Sequence, residues 1–205
     1  MDFKEALSSY KIVPVVVLND LGDVDQKLGG LLDGGLPIAE ITFRTECAAE
    51  AISLAAKKFQ TMLIGAGTVI NVTQCEKAIA AGARFIVSPG FCADIAQLCK
   101  AEHIPYLPGA ITPTEIMQVL AQDITTIKFF PASCYGGLKT IKALCAPFPQ
   151  ISLVPTGGIG AENLMEYLSF PKVIACGGSW MMNGDRVQIA KAVKEALQIV
   201  KGEIL

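Results

Sequence analysis

Thr125-Thr126-Ile127-Lys128-Phe129-Phe130-Pro131 is a short apolar run with strand character, set between two helix-like segments at residues 113–120 and 137–144. Outward from it the same alternation recurs along the whole chain. Runs with strand character lie at residues 12–18, 38–43, 62–68, 84–88, 104–107, 125–130, 151–156 and 173–176, with starts 20 to 26 residues apart. Helix-like segments separate them at 24–32, 46–58, 73–81, 93–101, 113–120, 137–144, 161–168 and 186–200. Thr112-Pro113-Thr114-Glu115 has the form of a capping box with proline at the first helical position. Strands alternating with helices of this length form parallel βαβ units. Eight units in one chain predict an α/β fold, the closed (β/α)8 TIM barrel, although 205 residues lies near its short end. A doubly wound open sheet is the alternative, but the first strand leads into Leu18-Asn19-Asp20-Leu21 rather than a glycine-rich dinucleotide fingerprint. With no low-complexity linker and no break in composition, residues 1–205 read as a single domain. A short helix at about residues 2–9 is expected to cap the bottom of the barrel.

Bulk composition narrows the function. The chain is 52% hydrophobic and only 18% charged, against about 25% charged for an average domain. Extra buried surface follows, most simply a subunit interface. Net charge is −2, and no stripe of Lys and Arg is present to neutralise a nucleic-acid backbone. Neither a signal-peptide core nor an apolar run approaching the ~18 residues of a membrane span occurs. Seven cysteines, an odd number without a CxxC pair, read as reduced cytoplasmic thiols that pack as small hydrophobes. The single histidine, His103, excludes a histidine-rich metal site, and its helix-to-strand position gives it a solvated or capping role.

Lys128 stands in an apolar strand with no opposite charge nearby in sequence. Burial disfavours an ammonium, and the neutral amine is a nucleophile able to condense with a ketone as a Schiff base. A lysine snorkelling outward from a strand end is the bland reading. Alternate residues of a strand share a face, so Glu40, Thr42 and Arg44 project together toward the barrel axis while Ala39, Ile41 and Phe43 face the helices. Thr126, Lys128 and Phe130 share a face in the same way. Charges inside a barrel are costly unless they pair or bind something. An ion pair between Glu40 and Arg44 is one outlet. The other is a meeting of Glu40 with Lys128 across the interior, which unites a nucleophilic amine with a proton-carrying carboxylate.

Glycine pairs close two later strands, in Pro155-Thr156-Gly157-Gly158-Ile159 and Cys176-Gly177-Gly178-Ser179-Trp180. Glycines there leave backbone N–H groups open to an anion, and the loops after strands seven and eight are the usual phosphate site of barrels. A tight turn alone also calls for glycine. Gly65-Ala66-Gly67-Thr68-Val69 and Ser88-Pro89-Gly90-Phe91 end strands three and four, with Thr68 placed to offer a hydroxyl. Trp180 reads as packing.

Taken with Val13-Pro14-Val15, Glu40-Ile41-Thr42-Phe43-Arg44-Thr45 and Lys128-Phe129-Phe130-Pro131-Ala132, these motifs run nearly end to end in the order of one family. The chain resembles the 2-keto-3-deoxy-6-phosphogluconate (KDPG) and 4-hydroxy-2-oxoglutarate (KHG) aldolases. The resemblance implies a class I aldolase in which Lys128 forms the Schiff base and Glu40 moves the protons. It assigns Arg44, Thr68, Pro89 and Thr156 to substrate binding and Gly157, Gly158, Gly178 and Ser179 to the phosphate. It further implies a phosphorylated keto acid and pyruvate as ligands, no metal, no cofactor and a homotrimer. The loop Ala132-Ser133-Cys134-Tyr135-Gly136-Gly137 departs from the pattern, with a bearing on substrate range. A galactonate-epimer aldolase, a metal-dependent lyase and a phosphosugar-binding barrel without chemistry are the rivals.

Overall fold

The computed structural model describes residues 2–203. Eight parallel strands, β1 Ile12–Val16, β2 Ile38–Thr42, β3 Leu63–Gly67, β4 Ile86–Val87, β5 Tyr106–Leu107, β6 Thr126–Phe129, β7 Ser152–Pro155 and β8 Cys176–Gly178, follow one another around a ring. Helix α1, Phe3–Tyr10, precedes β1. The connecting helices are α2 Asp23–Asp33, α3 Ala48–Lys58, α4 Val72–Ala80, α5 Ala93–Ala101, α6 Pro113–Leu120, α7 Gly137–Cys145 and α8 Leu164–Leu168, and α9 Arg186–Lys201 follows β8.

Continuous ladders join β5-β4-β3-β2-β1-β8 and, separately, β6-β7. Single bridges complete the circle. Gly109 pairs with Lys128 between β5 and β6, while Leu153 with Val173 and Thr156 with Gly177 join β7 to the β8 segment. The (β/α)8 barrel read from the sequence is therefore the fold, and it closes at the strand that carries the lysine.

Local chemistry explains the element ends. On α6, Glu115 N–H donates to Thr112 Oγ1 at 3.3 Å while Thr112 N–H donates to Glu115 Oε2 at 2.9 Å. Asp2 and Glu5 make the same reciprocal box on α1, each cap being worth about 1 kcal/mol. Phe3 of α1 stacks on Phe85 with centroids 4.3 Å apart, sealing the bottom of the barrel as expected. At the other seam, α9 lies tightly on α2: a Cβ added at Gly30 would come within 2.7 Å of Ile189, and one at Gly34 within 2.5 Å of Val193.

Strands β1, β4 and β5 are shorter than the runs read at 12–18, 84–88 and 104–107, and two further elements are displaced. Strand eight is displaced toward the C-terminus: Val173 makes one bridge, and the ladder with β1 instead pairs Ile12 with Cys176, Val13 with Gly177 and Pro14 with Gly178. The glycine pair that reads as an open loop is thus strand. The reason is space, since a Cβ at Gly177 would lie 2.3 Å from Thr156 Oγ1. Helix α8 begins at Leu164 rather than near 161. Asn163 bonds with its side chain to the preceding loop, a local alternative to helix for asparagine.

Among the described residues no helix is long and apolar enough to cross a membrane.

Candidate active site

Lys128 and Glu40 are the innermost charges of the barrel. They project from β6 and β2, opposite one another in the ring, and are 5% and 2% exposed. Lys128 Nζ donates to Glu40 Oε1 at 3.2 Å. Both backbone polar groups of Lys128 are held by the segment after β5, its N–H donating to Pro108 O at 2.8 Å and its carbonyl accepting from Ala110 N–H at 3.0 Å. Phe130, next on the same strand face, sets its ring 5.4 Å from Nζ. Two buried ions lose hydration, and their attraction offsets that loss only in a well-held geometry. Here the strands hold it.

Glycine makes the room. A Cβ at Gly67 on the neighbouring β3 would stand 2.1 Å from Glu40 Oε1, so the carboxylate occupies the volume that any other side chain would fill. Gly65, on the same face of β3, accommodates the ring of Phe85 in the same way.

The structure separates Glu40 from Arg44, so the alternative ion pair does not form. Arg44 lies past the end of β2, exposed, and its Nε donates to Thr68 Oγ1 at 3.4 Å. Among the described residues it has no carboxylate partner. Thr68 turns there with φ of 57°, a strained backbone for a β-branched residue. Thr42, read as projecting toward the barrel axis with Glu40, is fully buried and donates its hydroxyl to Val16 O at 3.3 Å.

Beside Phe130 opens a cleft of about 320 Å³ lined by Val15, Val17, Arg44, Phe130, Thr156, Gly157, Gly158, Ile159, Gly178 and Ser179; Lys128, Glu40 and Thr68 are not part of its lining. Six of the ten site residues read from the sequence thus share one wall. Pro89 does not: it borders a neighbouring recess with Val69, Ile70, Gly90, Phe91 and Cys92. Its loop is held by Ser88, whose hydroxyl donates to Gly90 O at 2.5 Å and lies 2.6 Å from the Tyr106 hydroxyl. Burial raises the Tyr106 hydroxyl to about 12, outweighing its hydrogen bonds with Ser88 and the Cys92 backbone. Because the Ser88 proton goes to Gly90 O, Tyr106 is the donor of the bond to Ser88. Cys134 and Tyr135 lie exposed on a 3-10 turn, Ser133–Tyr135, and neither lines the cleft.

The loop after β7 has a distinct polarity. Gly157 and Gly158 adopt left-handed φ of 96° and 72°. Three consecutive carbonyls are tied outward: Thr156 O accepts from Ala132 N–H at 2.8 Å, Gly157 O from Ser133 N–H at 3.1 Å, and Gly158 O from Asn163 Nδ2 at 2.9 Å. The N–H groups of Gly158 and Ile159 find no acceptor among the described residues. Unpaired N–H groups on adjacent residues form an anion-binding concavity.

Sequence reasoning read Gly67 and Gly177 only as members of their glycine motifs, without the space each leaves for Glu40 and Thr156, and missed Asn163. For the cleft-lining Val15 and Val17, strand parity was the available signal.

The family model for KDPG and KHG aldolase matches residues 3–197. A 2-dehydro-3-deoxy-phosphogluconate aldolase of Treponema pallidum is 42% identical over 202 residues, covering 96% of each chain. The crystal structure of 2-keto-3-deoxy-6-phosphogluconate aldolase of Zymomonas mobilis with 3-phosphoglycerate superposes with a TM-score of 0.90 at 35% identity, over 95% of this chain and 94% of that one. KDPG aldolase from Legionella pneumophila, with pyruvate captured as a covalent carbinolamine, gives the same TM-score and identity over 94% and 97%.

Proposed function

The chain belongs to the KDPG and KHG aldolase family, and from that premise we propose that it cleaves 2-keto-3-deoxy-6-phosphogluconate to pyruvate and glyceraldehyde 3-phosphate, and 4-hydroxy-2-oxoglutarate to pyruvate and glyoxylate. The observation that carries the reading is the buried pair, an amine and a carboxylate 3.2 Å apart inside the barrel.

Lys128 passes a proton to Glu40, and the freed amine adds to the C2 ketone. Glu40 gives that proton to the carbinolamine hydroxyl, which leaves as water, so that an iminium ion and the free carboxylate of Glu40 remain. Glu40 takes the C4 hydroxyl proton as the C3–C4 bond breaks, and that electron pair flows into the iminium to form an enamine while the aldehyde departs. Glu40 returns the proton to C3, and water hydrolyses the resulting iminium ion to release pyruvate and Lys128 as the ammonium, which restores the starting pair. One carboxylate serves throughout because it sits beside the nitrogen on which every intermediate is held.

Arg44 and Thr68 bind the keto-acid carboxylate. A guanidinium fork matches two carboxylate oxygens, and Arg44 has no competing carboxylate among the described residues. Thr156 contacts the hydroxylated carbons of the substrate, and Pro89 closes the pyruvate end. The phosphate lies on Gly157, Gly158 and Ser179 with Gly178 behind them, supported by the unpaired N–H groups of the β7 loop. The chain works as a single barrel domain, 1–205, without metal or cofactor, as a cytoplasmic homotrimer. Its seven free thiols and low charge content support the last assignment.

Pyruvate and borohydride test the reading directly. Intact mass and peptide mapping are expected to find a pyruvate-sized reduced adduct on Lys128. A folded protein that gains no adduct overturns the imine mechanism and leaves phosphosugar binding without chemistry.

A further inference from the structure

We propose that Asn163 is a positioning residue that aims the β7 loop at the phosphate of the substrate. The inference rests on the phosphate assignment above.

Asn163 spans the loop with both ends of its amide. Nδ2 donates to Gly158 O at 2.9 Å, and Oδ1 accepts from Gly160 N–H at 3.0 Å. The first bond acts through the peptide plane. In a trans peptide the C=O and the following N–H point in opposite directions, so holding Gly158 O toward Asn163 turns the Ile159 N–H away from it. That N–H has no acceptor among the described residues, and Ile159 lines the cleft beside Gly158 and Ser179. The second bond removes the Gly160 N–H from competition for the anion.

The loop needs this brace. Gly157 and Gly158 both occupy the left-handed region, where glycine alone is unstrained, and two adjacent glycines leave the peptide planes between them free to rotate. Backbone donors from Ala132 and Ser133 fix the carbonyls of Thr156 and Gly157. The carbonyl of Gly158 is fixed by a side chain instead, so this peptide is the one a substitution releases. The same bonds account for the late start of α8. Asn163 adopts a non-helical backbone, φ −123° and ψ 0°, and gives its side chain to the loop rather than to a cap of its own helix.

The test compares a phosphate-dependent readout with a phosphate-free one. For the wild-type enzyme, KM and kcat are measured with 2-keto-3-deoxy-6-phosphogluconate, inhibition with inorganic phosphate, and the rate of borohydride trapping with pyruvate. Asn163→Ala is expected to raise KM about tenfold, the loss of about one well-placed hydrogen bond to a charged group, with kcat within about twofold. Phosphate inhibition is expected to weaken in proportion and pyruvate trapping to stay unchanged. Asn163→Ser keeps a hydroxyl for Gly160 N–H but is too short to hold Gly158 O as well, and carries the same expectation if the alanine variant does not fold. Equal losses in trapping and in KM, or no change in either, overturn the positioning role while leaving the phosphate assignment standing. A wild-type enzyme that inorganic phosphate does not inhibit overturns the phosphate assignment itself, and the inference with it.

Discussion

Lys128 Nζ on β6 and Glu40 Oε1 on β2 meet at 3.2 Å inside the barrel although 88 residues separate them in sequence. Their side chains are 7% and 3% exposed, so each is the counter-charge that makes burial of the other tolerable. The amine that lacks an acidic neighbour along the chain acquires one only across the ring. This gives the pair two separable properties, chemistry and stability.

Removing either partner leaves the other buried and uncompensated, an effect of about 3–5 kcal/mol for pairs of this kind. Lys128→Ala is expected to abolish turnover and to lower the unfolding free energy in urea by an amount in that range. Glu40→Gln keeps a hydrogen-bond acceptor for the amine and is expected to lower kcat by about 10²-fold or more. The double variant Lys128→Met with Glu40→Leu replaces both charges by apolar groups and is expected to recover wild-type stability without activity. A double variant less stable than the single lysine variant contradicts this account of the pair.

Gly67 tests whether the carboxylate must stand where it does. Gly67→Ala drives a methyl group to within 2.1 Å of Glu40 Oε1, so the carboxylate must swing off the amine. Overpacking of this kind costs about 1–3 kcal/mol, leaving a folded protein in which reductive trapping by pyruvate slows at least tenfold. Wild-type trapping in the alanine variant would show that the position of Glu40 is not critical.

Alkaline stability reports on the β8 core. Burial pushes the Cys176 thiol up from 9.0 to about 12. The fold therefore favours the neutral thiol, a contribution fully present below pH 9 and lost as pH rises toward 12 because only the unfolded chain ionises in that window. Each tenfold change in the ionisation equilibrium is worth about 1.4 kcal/mol, so the loss amounts to up to about 4 kcal/mol. Urea midpoints measured from pH 8 to 11 are expected to fall, and Cys176→Ala to flatten that fall. A slope unchanged by the substitution assigns the alkaline loss elsewhere.

The chain's periodicity made most of the architecture legible. Helices α5 and α6 begin and end where the sequence reading puts them, and the capping box at Thr112 and Glu115 forms as written. The reading faltered where space rather than propensity decides. Gly177 and Gly178 resemble a turn, yet they complete the β8 ladder because Thr156 packs where a side chain would be. Residues 161–163 resemble the start of a helix, yet Asn163 spends its amide on the loop before it.

The site divides along the same line. Strand parity is set by covalent geometry repeated every two residues, so the sequence by itself determined that Glu40 and Lys128 face the barrel axis and that a charged interior needs an explanation. Which charge meets which was decided by the tertiary structure. Ring closure at Gly109 and Lys128 brings β6 opposite β2, Gly67 opens the volume for the carboxylate, and Arg44 is carried past the strand end to Thr68. These contacts depend on register and free space among segments distant in the chain, quantities that no local pattern encodes.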